Sequence, residues 1–130
     1  MNKEDIIAYW VDSADVDLSA MENLLDHGPF SWSLFVGHLV LEKLLKAYIV
    51  KSGSAEVPRT HDLLKLAGAA GLELDEGQKD ILDEVTTFNL KARYPDYRQR
   101  FYRKATREFA VRNIEAIRRF RAWLLEQIKN

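Results

Sequence analysis

The 130-residue sequence contains no cysteine. This absence excludes disulfide bonds, thiolate metal ligands and a cysteine nucleophile, and it fits an intracellular protein. A second missing feature is an apolar–polar alternation of useful length, which is the pattern of a half-buried β-strand. No internal repeat is visible either. These absences leave an all-α fold as the expectation.

Long hydrophobic runs are missing as well. No uninterrupted apolar stretch approaches the roughly 20 residues that a membrane-spanning helix needs. Residues 1–5 lead into a charged amphipathic helix instead of the apolar core of a secretory signal. We therefore expect a cytoplasmic protein that does not associate with a membrane.

Length and composition indicate a single domain over residues 1–130. A chain of this size buries roughly two thirds of its unfolded surface on folding and is short for two separate cores. Hydrophobic residues make up 47% of the sequence and charged residues 30%. These proportions are typical of a soluble globular protein and argue against low-complexity disorder.

The formal net charge of −1 conceals an uneven distribution of charge along the chain. Residues 1–90 contain 7 Lys and Arg against 16 Asp and Glu, whereas residues 91–130 contain 12 against 4. The basic C-terminal third can hold phosphate groups, or it can pair with the acidic first helix of its own or a neighbouring chain. Pairing is the interpretation that we favour, because charge runs are often solvated or compensated internally.

Apolar residues recur with the 3.6-residue period of an amphipathic helix over the first half of the chain. The pattern predicts a first helix from about residue 3 to residue 26 and a central helix from about 31 to 52. A short third helix is expected to begin at an N-cap on Thr60. Gly68 and Gly71 weaken and close this third helix.

The same period continues in the second half of the chain. Asp75 is expected to cap a fourth helix that ends near Asn89, and a long final helix covers about 104–129. Residues 91–103 show no clean period and are predicted to form a loop or a broken helical turn. The expected architecture is an all-α, up-and-down bundle of about five helices.

The predicted central helix is apolar almost all round but carries a narrow polar line. His38, Glu42 and Lys46 fall on successive turns of nearly the same face. Burying a charged group without a partner costs several kcal/mol, so these side chains are expected to bond to something, to face a cleft or to meet another subunit. In a cleft they could bind a phosphate or orient a base. The alternative is an ordinary ion-paired seam, since Glu42 and Lys46 have the favourable i, i+4 spacing.

Three further residues could bind an anion or a base. His61 follows the predicted cap, so its ring is expected near a helix N-terminus, where backbone N–H groups also receive anions. Arg93 can grip a phosphate, and a base can stack on the Tyr94 ring. The alternative is a packing or surface role for each of them, with Asp17 as an ion-pair partner for Arg93 or Lys46.

The sequence gives no indication of a metal site or a cofactor. His27, His38 and His61 lie on separate predicted elements without a paired ligand spacing such as His-Glu-x-x-His, so a zinc site would need an unforeseen convergence. A glycine-rich phosphate loop, a nucleophile elbow and paired-carboxylate spacing are also absent. The residues by themselves therefore predict a polar site and no particular reaction.

Four blocks of the sequence occur in a recognisable order. They are W-V-D-S-A-D-V-D-L at 10–18, F-V-G-H-L-V-L-E-K-L-L-K-A at 35–47, V-P-R-T-H-D-L-L-K-L at 57–66 and A-R-Y-P at 92–95. Together they resemble the HEPN domain, the higher-eukaryote and prokaryote nucleotide-binding family, over nearly the whole chain. The resemblance implies a bundle of about five helices that often forms homodimers. It also implies a ligand-binding site composed of His38, Glu42, Lys46, His61, Arg93 and Tyr94.

Members of this family include ribonuclease toxins, nucleotide-binding modules, and small proteins encoded beside a minimal nucleotidyltransferase that acts as their antitoxin. The ribonucleases carry an arginine followed four to six residues later by a histidine. In this chain Arg59 lies too close to His61, and no histidine follows Arg93. The motif that supplies the proton-transferring histidine is therefore missing, and no catalytic residue is assigned.

The resemblance and the missing motif together predict a non-catalytic module. We expect it to bind a nucleotide or an RNA phosphate and to work with a nucleotidyltransferase partner. We also expect a homodimer, because a bundle this short cannot cover both sides of so apolar a central helix.

One alternative is a metal-independent ribonuclease toxin in which Arg93 acts with His61 or His38 from distant parts of the fold. A second alternative is a purely structural dimer whose polar seam is an ion-pair network.

Overall fold

The computed structural model describes residues 1–53 and 56–130. Within these ranges there are six helices and no strand. The helices are α1 (Lys3–His27), α2 (Phe30–Lys51), α3 (Leu63–Ala70), α4 (Glu76–Arg93), α5 (Pro95–Lys104) and α6 (Arg107–Lys129). None of the described helices is both long enough and apolar enough to cross a membrane. The predicted all-α fold is confirmed, with six helices where about five were expected.

Helix α2 is the centre of the bundle, as its apolar character predicts. It packs against each of the other five helices, and its side chains Leu34, Leu41 and Leu45 are fully buried. These leucines join Phe88 of α4 and Ile117 of α6 in one hydrophobic core. Burying a side chain of this size is worth about 1.5–3 kcal/mol. Packing on several sides fixes the position of α2 and of the polar line that it carries.

Gly37 allows α1 and α6 to approach α2 closely. A Cβ atom at this position would lie 2.7 Å from Ile117 Cδ1 on α6 and 3.2 Å from Met21 Sδ on α1. Optimal separations between carbon atoms are about 3.5–4.0 Å, and both neighbouring side chains are fully buried. The absence of a side chain at Gly37 therefore lets three helices meet at this point.

The helix caps agree with the sequence prediction in one case and differ in another. Asp75 caps α4 as predicted, in a reciprocal arrangement in which its side chain accepts from Gln78 N and the Gln78 side chain accepts from Asp75 N. The prediction that Thr60 caps α3 is wrong, because the Asp62 side chain accepts from two backbone N–H groups of the first turn. Thr60 instead accepts from Asp62 N. Both residue types are good caps, so composition alone does not distinguish between them.

The prediction of a loop or broken turn over residues 91–103 is also wrong. Helix α4 continues to Arg93 instead of ending near Asn89, and α5 follows directly. Pro95 occupies the first position of α5, where its fixed φ suits the helix and its missing N–H is not needed. Phe101 is the one buried residue of α5. A helix with a single buried side chain shows no apolar period in its sequence.

The basic C-terminal third pairs with the first helix at two positions on α6. Arg118 donates two hydrogen bonds to the Glu22 carboxylate, and Arg121 Nη2 lies 3.2 Å from Asp15 Oδ1. The hydrogen bond from Arg118 lowers the pKa of Glu22. The favoured pairing interpretation is thus correct for these two arginines. Among the described residues, no cation of α5 takes part in an ion pair.

Candidate functional site

Glu42 is the centre of a polar cluster on one face of α2. It is 5% exposed, and its two carboxylate oxygens have different partners. Oε1 lies 2.8 Å from His61 Nδ1, and Oε2 lies 2.9 Å from Lys46 Nζ. His61 belongs to the segment before α3 and is 19 residues from Glu42 along the chain. The fold therefore adds His61 to the polar line that the sequence predicts on α2.

The carboxyl group of Glu42 is ionised at neutral pH. Burial alone would raise its pKa, but hydrogen bonds from Lys46 and His61 and the charge of Lys46 bring the pKa below its ordinary value of 4.5. A carboxylate only accepts hydrogen bonds, so His61 donates through Nδ1. The other ring nitrogen, Nε2, has no protein partner in the described part of the chain. The His61 side chain is 60% exposed, so its ring is accessible to a ligand.

His38 lies one turn before Glu42 and is completely buried. Its Nε2 donates over 2.7 Å to the backbone carbonyl of His61, because a carbonyl oxygen only accepts. This hydrogen bond ties the segment before α3 to the central helix. His38 Nδ1 lies 3.8 Å from Glu42 Oε1 and has no hydrogen-bond partner among the described residues. The buried ring of His38 therefore positions His61 and is not itself open to a ligand.

Burial keeps His38 neutral at neutral pH. Desolvation lowers its pKa below the ordinary value of 6.5, and the positive charge of Arg93 lowers it further. The hydrogen bond to the His61 carbonyl and the charge of Glu42 act in the opposite direction without reversing the shift. The influence of Arg93 on this pKa also indicates that its guanidinium lies within electrostatic reach of the cluster.

Lys46 holds the C-terminal end of the polar line on α2. Its ammonium group contacts the Glu42 carboxylate and lies over the ring of Trp10 on α1, with Nζ 5.4 Å from the centroid of that ring. The side chain of Lys46 is 16% exposed. The predicted i, i+4 pair is therefore present, and a cation–π contact supports it. An ammonium group has three donors, so Lys46 can also donate to a ligand.

Arg93 and Tyr94 lie at the junction of α4 and α5. Arg93 donates through Nε to the backbone carbonyl of Asn89 over 3.2 Å and through Nη2 to Asn89 Oδ1 over 2.6 Å. Its guanidinium carbon lies 5.4 Å from the centroid of the Tyr94 ring and 5.9 Å from that of Phe35. Phe35 is one turn before His38 on α2. Arg93 is thereby held at the N-terminal end of the polar line, and its Nη1 makes no hydrogen bond to any described residue.

The six predicted residues thus have unequal places in the structure. His38, Glu42, Lys46 and His61 form one group of direct contacts, which we call the His61 cluster. Arg93 is not in direct contact with this cluster, but its charge lowers the pKa of His38, and its guanidinium lies over the ring of Phe35 on α2. The last of the six, the tyrosine at position 94, contacts Arg93 and is 47% exposed. It adds an accessible aromatic ring at the margin of the cluster.

The predicted pairing of Asp17 with Arg93 or Lys46 is wrong. Asp17 Oδ2 lies 2.7 Å from Lys43 Nζ and supports the contact between α1 and α2. Arg93 has Asn89 as its hydrogen-bonding partner instead of Asp17. Asn89 and Arg93 are four residues apart, a spacing that brings side chains together on a helix.

Three residues that contact the site were not predicted as members of it, and only two of them carry a signal in the sequence. Asn89 is four residues before Arg93 and Phe35 is three residues before His38, so helical spacing alone associates each with the site. Trp10 comes from a different helix, and nothing in the sequence indicates that its ring lies against a lysine of α2. Cross-helix contacts of this kind depend on how the helices pack.

Two of the three histidines converge, although they come from separate elements. The ring centroids of His38 and His61 are 6.3 Å apart. Each ring already has a hydrogen bond, His38 with the His61 carbonyl and His61 with Glu42. No group of three or more metal-ligating side chains with suitable positions occurs among the described residues.

The His61 cluster reaches the surface mainly through His61, whose side chain is 60% exposed. A cleft of about 680 Å³ lies between residues 27–30 and the C-terminal end of α5, and a cleft of about 260 Å³ lies between α4 and α5. Neither is lined by any of the six predicted site residues.

Nearly the whole chain matches a known protein family. The family model described as HEPN domain matches residues 7–128, which include the His61 cluster, Arg93 and Tyr94. No curated protein and no solved structure matches the chain.

Proposed function

We propose that this chain, which belongs to the HEPN domain family, is a homodimeric module that binds a nucleotide or an RNA phosphate at the His61 cluster. Membership of the family supports a function related to nucleotides or RNA. A minimal nucleotidyltransferase is the proposed partner, in a toxin–antitoxin type of system.

The arrangement around Glu42 carries the proposal. Its carboxylate engages Lys46 and His61 at once and holds both at one end of the polar line. Arg93 lies at the other end, with one guanidinium nitrogen free of partners among the described residues. Lys46 and Arg93 are cations, and His61 offers an exposed imidazole ring beside them. Groups of this kind bind phosphate oxygens through charge-assisted hydrogen bonds.

Aromatic rings beside the cations fit the remainder of a nucleotide. Tyr94 is 47% exposed next to Arg93, and Phe35 lies against the same guanidinium. A base can stack on an exposed aromatic ring or on the plane of an arginine. The base would then lie at the Arg93 end of the patch, and the phosphate would extend toward His61 and Lys46.

Calorimetry with a panel of mononucleotides tests the proposed site. Lys46→Ala and Arg93→Ala are each expected to weaken binding by about 1–3 kcal/mol, the scale of a lost charge-assisted hydrogen bond. The matched control for Lys46→Ala is Lys43→Ala, which removes a lysine of the same helix α2 whose partner is Asp17. The matched control for Arg93→Ala is Arg119→Ala, at an exposed position of α6. Both controls should bind as the wild type does.

Two results of the calorimetry would contradict the proposal. If the wild type binds no nucleotide at millimolar concentration, the cluster is an ion-pair network and the structural-dimer alternative replaces the binding module. If the two control variants lose as much affinity as Lys46→Ala and Arg93→Ala, binding reflects general charge and not this site. Circular dichroism of each variant checks that the fold is kept.

We place the proposed dimer contact on α1 instead of α2. The expectation from the sequence rested on an uncovered apolar face of α2, but the other helices of the same chain pack around α2. Exposed apolar side chains lie on α1, where Tyr9 is 57% and Val16 is 70% exposed. These two residues are seven apart and so lie on one face of the helix. That face is the proposed interface.

A metal-independent ribonuclease is the second candidate function, and one observation favours it. Glu42 accepts from His61 Nδ1 and leaves Nε2 of the exposed ring unpaired among the described residues. A carboxylate that fixes the tautomer and orientation of an imidazole is an arrangement used in general acid–base catalysis. His61 and Arg93 would then take the roles that the missing Arg-x4-6-His motif fills elsewhere in the family.

The proposed partner is tested at the level of the gene. A small nucleotidyltransferase encoded in the neighbouring reading frame, and its copurification with this chain after coexpression, would be the expected result. If the neighbouring frame encodes an unrelated protein and a coexpressed minimal nucleotidyltransferase does not copurify, the toxin–antitoxin part of the proposal is wrong. The nucleotide site would be unaffected by that outcome.

A further inference from the structure

A cleft between α4 and α5 has a composition unlike that of the His61 cluster. It is lined by one residue of α4 and four of α5, namely Lys91, Tyr97, Arg100, Phe101 and Lys104. Three of these residues are cations, two are aromatic, and none is acidic. The volume of the cleft is about 260 Å³, so it suits one base or one phosphate and not a whole cofactor. We call it the α4–α5 cleft.

The three cations of this cleft have no acidic partner. Within the described residues, no carboxylate lies within ion-pair distance of Lys91, Arg100 or Lys104. Lys104 contacts the ring of Phe109, with Nζ 5.6 Å from its centroid. Like charges grouped around a concave surface raise the local positive potential and attract anions. On α6, by contrast, Arg118 is paired with Glu22 of α1. Acidic residues of the same chain therefore neutralise only part of the positive charge of residues 91–130.

Two aromatic residues line the cleft, and one of them packs against the hydrophobic core. Phe101 is 3% exposed and stacks on Phe88 of the core, with ring centroids 5.6 Å apart and an angle of 28° between the rings. Tyr97 lies one turn earlier on the same side of α5 and is 44% exposed. Its ring is therefore accessible to solvent beside the cations. Cations combined with an accessible aromatic ring are the groups that bind single-stranded nucleic acid.

The basic and aromatic surface continues around α5. Arg98, Tyr102 and Arg103 are exposed, and the last two line the larger cleft near residues 27–30. A helix of ten residues is about 15 Å long, enough to contact several nucleotides. No aliphatic side chain larger than that of Pro95 occurs on α5. This composition favours a polyanion with stacking groups over a lipid surface.

We propose that α5 and the α4–α5 cleft bind single-stranded nucleic acid. One base stacks on Tyr97, and the adjoining phosphates lie against Lys91, Arg100 and Lys104. The surface uses none of the six residues of the proposed nucleotide site. Binding here therefore goes beyond the proposed function and does not depend on it.

Fluorescence anisotropy with a labelled 12-nucleotide oligouridine and with a DNA oligothymidine of equal length tests this surface. Replacing two cations together, Arg100→Ala with Lys104→Ala, should weaken binding about tenfold or more at low salt and should reduce its salt dependence. The matched control is Arg119→Ala with Lys129→Ala on α6, which removes the same two residue types from exposed positions. It should change the affinity less than about twofold, because its cations lie outside the surface.

A separate variant tests the stacking contact. Tyr97→Ala leaves every charge in place and should weaken oligonucleotide binding about fivefold or more, since stacking on one aromatic ring contributes at least this much. Inorganic polyphosphate of matched charge is the competing probe, and it should compete less well than the unlabelled oligonucleotide. If Tyr97→Ala has no effect, or if polyphosphate competes equally well, the surface is a general anion-binding patch and the proposal is overturned.

Two further outcomes would also overturn the proposal. Equal losses in the α5 and α6 double variants would mean that overall charge, not this surface, controls binding. Conversion of a dimer into a monomer by the α5 double variant, without loss of nucleic-acid binding, would mean that α5 contacts acids of a second copy. Arg100→Ala with Lys104→Ala changes none of the six residues of the proposed nucleotide site and should leave the mononucleotide affinity measured by calorimetry unchanged, so that failures of the two proposals are distinguishable.

Discussion

His61 donates its Nδ1 hydrogen to Glu42 Oε1 over 2.8 Å, and this hydrogen bond joins the segment before α3 to the middle of α2. The His38 ring reinforces the junction by donating to the His61 carbonyl. An imidazole that is 60% exposed is thus oriented by two residues of the central helix. The stability, the protonation and the ligand binding of the protein should all depend on this junction.

Glu42→Gln should destabilise the fold by about 1–3 kcal/mol. The change keeps the shape of the side chain but replaces the carboxylate, which accepts from Lys46 and His61, with an amide that has one neutral acceptor. A hydrogen bond to a charged group is worth about 1.5–3 kcal/mol and a neutral one about 0.5–1.5 kcal/mol, so part of the stabilisation remains. Urea unfolding followed by circular dichroism gives the free energy of unfolding. The control is Glu76→Gln, which removes a well-exposed carboxylate that also faces a lysine, Lys79. An equal loss of stability in both variants would contradict a central role for Glu42.

The stability of the protein should fall as the pH decreases below 6.5, and His38 should be one cause. Burial lowers the pKa of His38 in the folded state, so the unfolded chain takes up a proton at a higher pH than the folded chain does. The unfolded state then binds more protons, and the free energy of unfolding decreases with decreasing pH. Glu42 acts in a lower range, because its folded pKa lies below 4.5.

Urea unfolding of His38→Gln at a series of pH values checks this assignment. The slope of stability against pH just below pH 6.5 should be reduced in this variant, because the buried imidazole whose pKa is lowered by folding has been removed. His27→Gln replaces an exposed histidine and should keep the slope of the wild type. An unchanged slope in His38→Gln, or an equal reduction in His27→Gln, would show that another group controls the pH dependence.

The proposed dimer should sediment as a particle of about twice the chain mass of 15.1 kDa at micromolar concentration in moderate salt. Val16→Lys places a charge on the exposed face of α1 and should shift the equilibrium toward the monomer. Leu90→Lys is the matched control on α4, where Leu90 is 42% exposed. A clean monomer of the wild type across the micromolar range would contradict the dimer, and equal effects of both variants would remove α1 from the interface.

Cleavage of RNA by the purified protein in the presence of a chelator should be weak or absent. The ribonuclease motif of the family is missing, and the tyrosines that follow Arg93 are poor general bases near pH 7 because the ordinary tyrosine pKa is about 10. Structured and unstructured RNA substrates should both remain intact. Strong cleavage that His61→Ala or His38→Ala abolishes, and His27→Ala does not, would contradict the non-catalytic interpretation and assign the active site to the His61 cluster.

The central helix and its polar line could be predicted from the sequence because both signals are local. His38, Glu42 and Lys46 share one face of α2 by helical spacing alone, and the apolar residues around them indicate burial. The family resemblance added His61 to these three. The hydrogen bond between His61 and Glu42 could not be predicted, because it depends on how the segment before α3 folds back on α2.

Helix α5 could not be predicted, because its sequence signals are ambiguous. Pro95 suggests a break, yet proline is also a favoured first residue of a helix. Phe101 is the only buried side chain of α5, so hydrophobic periodicity is absent. The surface of this helix, which we propose as the second binding surface, therefore became visible only in the structure.

The most direct test of the proposed nucleotide site is to observe the histidine rings while a nucleotide binds. The chain has three histidines, so the imidazole signals in nitrogen-15 spectra can be assigned by substitution of each one. Titration with adenosine monophosphate near neutral pH should produce saturable changes in the His61 ring signals and leave those of exposed His27 unchanged. Unchanged His61 signals at millimolar nucleotide, or changes confined to His27, would contradict binding at the His61 cluster.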